Sequence, residues 1–157
     1  MRSEPSGVEV GRAHRWATAK LDGLETAELP FSFTYGSRPS KALLKDWRLH
    51  RDVRPLDGQK SEHTLRFSDP ESGLVLRCVG MEYHDFPTVE WTLHFENTGV
   101  GDTPILENIL ALDTQFRRAG PDEFLLHHFK GYSRTPSDYA PLETCLEASS
   151  STRLASA

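Results

Sequence analysis

Apolar and polar residues alternate along most of this chain. From Thr88 to Glu96, Val89, Trp91, Leu93 and Phe95 alternate with Glu90, Thr92, His94 and Glu96, the two-residue period of a strand buried on one face. The turn-rich cluster Asn97-Thr98-Gly99-Val100-Gly101-Asp102 closes it, and after Pro104 a new extended run passes through Ile105, Leu106, Ile109, Leu110 and Leu112. That succession predicts a hairpin or meander. Upstream, His63–Phe67 and Gly73–Tyr83 read as strands joined by Ser68-Asp69-Pro70-Glu71-Ser72-Gly73, whose Asp, Pro and Gly suit a tight reversal. Pro30–Tyr35, Glu123–Phe129 and Trp47–Val53 add further strands, the last ended by Pro55-Leu56-Asp57-Gly58. About seven short strands punctuated by turns predict an all-β fold, an antiparallel β-sandwich or barrel-like sheet with at most one or two short helices.

Only Ser40–Trp47 has helical spacing, with Ser40 as the cap and Leu43, Leu44 and Trp47 on one face. The first fifteen residues are polar and carry Pro5, Gly7 and Gly11, and Glu147–Ala157 is small and Ser-rich, so both ends read as loosely ordered. At 157 residues the chain is one ordinary domain long. Its 37% hydrophobic and 26% charged residues exclude wholesale disorder and fibrous architecture. The net charge of −5 and the scattered basic residues argue against a nucleic-acid partner. No apolar run approaches the ~18 residues of a membrane helix, and the N-terminus lacks a signal-peptide core, so no membrane partner is expected. Cys78 and Cys145 are too far apart in sequence for a disulfide scaffold or paired zinc ligands. Thiols in a reducing, cytoplasmic setting are the simpler expectation.

The common catalytic signatures are missing: the sequence has no GxSxG elbow, Walker loop, HExxH, GxGxxG or CxxC. The acids on or beside predicted strands are Glu82, Asp85, Glu90, Glu107 and Asp113, expected on solvent faces, capping turns or pairing with Arg and Lys. His127 and His128 are adjacent, so a regular strand points them to opposite faces and they cannot share a metal. Trp47, Trp91, Tyr83, Phe86 and Phe129 offer flat apolar faces of the kind that stack on a pyranose. Trp91 lies within the alternating apolar set and reads as core. For Trp47, at the edge of a helical turn and followed by charged residues, both core packing and sugar stacking remain open.

Pro30–Arg48, Ser68–Gly99, Asp102–Asp113 and Leu125–Glu143 resemble the N-terminal β domain of bacterial, melibiase-like α-galactosidases similar to glycoside hydrolase family 36. The run Glu82–Gly99, with Tyr83-His84-Asp85-Phe86-Pro87, Val89-Glu90-Trp91 and the turn Asn97-Thr98-Gly99, is its most specific part. The resemblance implies a β-supersandwich, with residues 1–29 as an N-terminal extension plus first strand region and 30–157 as the N-terminal part of the domain. It also implies that the sequence stops mid-domain, before a (β/α)8 barrel that alone needs ~250 residues. Both catalytic aspartates belong to that barrel, so the resemblance implies no catalytic residue here, no cofactor, no metal, and no hydrolysis by the chain alone. The implied partners are the catalytic barrel, an α-galactoside or other carbohydrate bound through the intact enzyme, and a second copy in a homo-oligomer. The loops Gly36–Trp47 and Gly131–Tyr139 are expected to approach the galactose pocket, with Trp47 and Asp138 as substrate-binding candidates; Asp138 and Tyr139 end a loop that also bears Arg134. The alternative is a stand-alone carbohydrate-binding or oligomerisation module that would use exposed aromatics such as Trp47 and Tyr132.

Overall fold

The alternating segments form strands where the pattern places them, and the turns between them bring four into one sheet. The computed structural model describes residues 4–22, 28–116, 124–129 and 135–146. Two compact units divide the chain, Met1–Thr114 and Gln115–Ala157. In the first, β3 (Arg48–Pro55), β4 (Lys60–Ser68), β5 (Leu74–Tyr83) and β6 (Val89–Asn97) make an antiparallel sheet in the order β3-β4-β5-β6. The register sets Phe67 opposite Leu76 and Leu76 opposite Phe95, and likewise Leu65, Cys78 and Leu93. The two-residue period thereby collects one apolar face. A second sheet has the order β2-β1-β7, from β1 (Ser32–Tyr35), β2 (Arg38–Pro39) and β7 (Leu106–Leu110).

The core lies where Phe31, Phe33, Tyr35, Leu43, Leu44 and Trp47 meet Leu65, Phe67, Leu74, Leu76 and Cys78. Phe33 and Phe95 meet edge to face at 5.3 Å across the two sheets, the favoured aromatic geometry. Val89, Trp91, Leu93 and Phe95 pack against this core but stay partly buried. Burial pushes the Cys78 thiol up to about 12, because the thiolate would lose its hydration there. A maleimide at neutral pH is therefore expected to leave Cys78 unmodified in the native protein and to label it after denaturation. Peptide mass spectrometry reads the difference, and native labelling would contradict the packing.

Several sequence expectations need correction. The run after Pro104 does not fold back on β6: β7 pairs with β1, Tyr35 opposite Leu106. The intervening turn is tied elsewhere, since Thr98 N and Oγ1 both donate to the Gly73 carbonyl at 3.0 and 2.7 Å. The Gly36 N–H then bonds the Ile105 carbonyl, so the chain crosses to the other sheet.

Among the described residues the N-terminal segment from Glu4 on is not loosely ordered, and Ser40–Trp47 is not the only helix; Glu147–Ala157 lies outside the described residues. Gly7–Ala17 forms α1, continued by a π-helical turn Thr18–Asp22. Ser6 caps it, the Glu9 N–H donating to Ser6 Oγ and the Ser6 N–H to the Glu9 carboxylate, a reciprocal capping box. That backbone hydrogen bond holds the Glu9 carboxyl below the usual range. α1 seats Ala17 in the interior and stacks Trp16 on Trp91 at 5.3 Å, which repays ordering a glycine-containing helix.

Finally, α2 covers only Ser40–Leu43, and its N-cap is Pro39. Ser40 is buried instead, its hydroxyl accepting the Phe33 N–H at 3.1 Å, where the β1–β7 register shifts between Ser32 and Thr34 and a buried N–H needs an acceptor. Leu43, Leu44 and Trp47 are all buried, as their spacing requires.

The second unit contains β8 (Phe124–His128) paired antiparallel with β9 (Leu142–Leu146), and a 3-10 turn at Pro136–Tyr139. His127 meets Glu143 at 3.3 Å and His128 meets Thr144 at 3.0 Å. The two histidines have separate partners, as strand alternation dictates.

Candidate functional site

Gly36 and Ser37 both have positive φ, 54° and 64°, the conformation that joins twisted strands in a tight hairpin. This turn sets Arg38 opposite Tyr35 at the edge of the small sheet. After α2, a further turn carries Asp46 and Trp47 into β3. Facing these residues is the β4–β5 reversal, which closes on its own aspartate. Asp69 Oδ1 accepts the Glu71 N–H at 3.1 Å and Asp69 Oδ2 accepts the Ser72 hydroxyl at 2.5 Å, an Asx-type turn. The Tyr35 hydroxyl donates to Ser72 Oγ at 2.6 Å and pins the two turns together.

Between them lies a cleft of about 370 Å³, lined by Tyr35, Arg38, Asp46, Trp47, Asp69, Glu71 and Ser72 among others, within the size range of small-ligand sites. Trp47 is only 8% exposed. Its ring stands edge-on to Tyr35 at 5.8 Å and tilted to Phe33 at 6.4 Å, so most of the indole is core and only its margin reaches the cleft. Arg38, Asp46 and Glu71 are exposed at the rim. The carboxylates offer acceptors and the guanidinium offers fixed donors, a set that fits a polyhydroxylated ligand.

Asp138, the other candidate, lies in the second unit. Its Oδ2 accepts the Thr135 N–H and hydroxyl, each at 3.0 Å, and closes the capping box of the 3-10 turn. Gly131, Tyr132 and Arg134 of that loop lie outside the described residues. Trp91 faces the core, as its place in the pattern requires, and donates its indole N–H to the Ala111 carbonyl at 2.7 Å. Glu90 accepts the Tyr83 hydroxyl at 2.9 Å, which pushes that phenol up. Glu82 departs from expectation. It is buried, 4% exposed, and its partners are histidines rather than Arg or Lys.

Sequence reading did not single out Arg38, Asp46, Asp69, Glu71 or Ser72 as site residues. The turn composition at both places was visible, but their juxtaposition depends on the Tyr35–Ser72 contact between residues distant in sequence. Among the described residues no group of three or more His, Cys, Asp or Glu is placed to hold a metal ion, and no helix is long and apolar enough to cross a membrane. Compared with protein-family models, curated proteins and solved structures, the chain matches none.

Proposed function

We propose that this chain is a non-catalytic β module that borders the sugar pocket of an α-galactosidase-like glycoside hydrolase acting on terminal α-galactosides. The observation that carries this reading is the cleft at Trp47. Both of its main walls come from segments that bear the resemblance, Pro30–Arg48 and Ser68–Gly99, and its rim combines an aromatic margin with Asp46, Glu71 and Arg38. Sugar hydroxyls donate to carboxylates and accept from guanidinium, and the apolar side of a pyranose packs on aromatic carbon. In this role the module contributes contacts to the pocket, while the chemistry belongs to the partner barrel; a second copy of the chain is a further partner. A reducing, cytoplasmic setting is part of the reading.

Titration of the isotope-labelled protein with methyl α-galactoside tests it. The amides of Gly36, Arg38, Asp46 and Ser72 and the Trp47 indole N–H are expected to shift together, with a dissociation constant on the order of 1 mM, about −4 kcal/mol. Asp46→Ala, exposed at the rim, is expected to weaken binding several-fold without lowering the melting temperature. If these signals stay put in the presence of about a hundred times that concentration of sugar, the reading fails.

A further inference from the structure

At a place separate from the cleft, α1 and its π-helical turn reach the large sheet through a chain of ionisable side chains. His63 on β4 is 3% exposed, yet both of its ring nitrogens meet carboxylate oxygens. Nδ1 lies 2.8 Å from Asp22 Oδ1, and Nε2 lies 3.0 Å from Glu82 Oε2 on β5. The other oxygen of Glu82 meets His14 Nδ1, on α1, at 2.6 Å. The helical segment thus supplies both ends of the chain, Asp22 and His14, and the sheet supplies its middle.

Each nitrogen–oxygen contact needs a proton between its lone pairs. A neutral imidazole carries one N–H and presents a bare lone pair at the other nitrogen. Between two ionised carboxylates, one of the two His63 contacts would then set lone pair against lone pair. The observed geometry therefore holds one proton more than neutral His63 and two carboxylates possess, whether it sits on the ring or on a carboxyl oxygen.

We infer that Gly7–Asp22 is a proton-coupled latch, which seats on the sheet with uptake of one proton into the Asp22–His63–Glu82 chain and loosens as that proton is lost. Both ends of the chain can exchange protons with water, since the Asp22 and His14 side chains are 29% and 65% exposed. The seat itself is close-fitting. Leu21 is buried against Gly80, where even a Cβ would lie 2.5 Å from its Cδ1, and Trp16 lies on Trp91.

Few other charges bear on His63. On β3, Val53 lies opposite it, and Arg51 lies two residues away. On β6, Val89 and Trp91 lie opposite Glu82 and Gly80. On β4 itself, Ser61 is bonded to His84 Nε2 at 3.0 Å. In the helical turn, Lys20 is paired with Glu28. Arg54 and Glu62 pair with each other at 3.0 Å. The carboxylates of Asp22 and Glu82 are thus the anionic groups that face the ring among the described residues.

The sign follows from the proton count. The seated state binds one proton more than the loosened one, so seating weakens as pH rises, by at most about tenfold in the seating equilibrium per pH unit for one proton.

Hydrogen exchange of the full chain at pH 6, 7 and 8, corrected for the intrinsic rate, tests the latch. Protection over residues 7–22 is expected to fall as pH rises, by up to about tenfold per unit, relative to β4 and β5, whose protection stays constant. Loss of the Trp16–Trp91 ring coupling in near-ultraviolet circular dichroism is expected to follow the same profile. Glu82→Gln removes the need for the proton, because its amide N–H donates to His63 Nε2 while its oxygen accepts from His14. A flat profile for this variant, at whatever level of protection, supports the coupling. Asp22→Asn, at the more exposed end, makes the same change on the other side of the ring and is expected to flatten the profile likewise. A flat profile in the unmodified protein, or a wild-type slope in both variants, would overturn the inference. None of these readouts involves sugar.

Discussion

Replacing Trp47 with alanine is expected to lower the stability of the first unit by about 3–5 kcal/mol, the usual loss for a buried aromatic truncated to a methyl group. The indole is 8% exposed and contacts both Phe33 and Tyr35, so its removal opens a cavity where α2 and β1 meet the large sheet. Tyr35 also pins the two walls of the cleft through Ser72. The alanine variant is therefore expected to lose cleft geometry together with stability, and a binding defect in it says nothing about direct contact. Trp47→Phe separates the two roles. A smaller ring keeps much of the packing at a cost of roughly 1–2 kcal/mol, while it withdraws the indole margin from the cleft. Denaturant midpoints and sugar titrations on both variants decide. A Trp47→Ala protein within about 1 kcal/mol of the parent would remove the residue from the core.

The second large effect is expected at Gly73. Its φ is +79°, and a Cβ there would stand 2.7 Å from Gly99 N and 2.8 Å from Gly99 Cα. These neighbours are backbone and cannot swing aside. Gly99 in turn approaches the Ser72 carbonyl so closely that its own Cβ would lie 2.4 Å from that oxygen. The β4–β5 reversal and the β6–β7 connection are thus interlocked main chain to main chain. Gly73→Ala is expected to cost about 2–5 kcal/mol, from roughly 1–2 for the left-handed conformation and ~1–3 for the clash. It should also disturb the Asp69–Ser72 wall of the cleft. Gly58→Ala and Gly101→Ala meet open space and serve as controls expected to stay within about 0.5 kcal/mol. A Gly73 variant as stable as those controls would mean that the two turns do not touch.

The two-residue period carried most of the strand assignment, because burial of one sheet face leaves a direct imprint on composition. Val89-Trp91-Leu93-Phe95 turns to the core as its alternation requires, and the reversals at Pro55–Gly58 and Ser68–Gly73 connect β3, β4 and β5 where their turn residues occur. The helix at Gly7–Ala17 was not read from the sequence, although the Ser6–Glu9 pair of its capping box stands there. The polar residues and two glycines around it concealed a helix held by tertiary contacts through Trp16, Ala17 and Leu21.

What periodicity cannot encode is the partner. It reports that a face is buried, but hydrogen bonding along a strand edge is the same for every sequence, so nothing in Leu106–Leu110 distinguished β1 from β6 as its neighbour. The same blindness hid the functional geometry. Glu82 and Glu90 both read as polar strand positions, yet one is buried between two histidines and the other is exposed. The difference lies in what the fold stacks on the sheet. The cleft likewise exists only because Tyr35 meets Ser72 across the two sheets. The chain's own pattern determined strands, turns and buried faces through local hydrophobic burial; the pairing of edges, the buried ionic chain and the site depend on contacts between residues far apart in sequence, which only the folded packing decides.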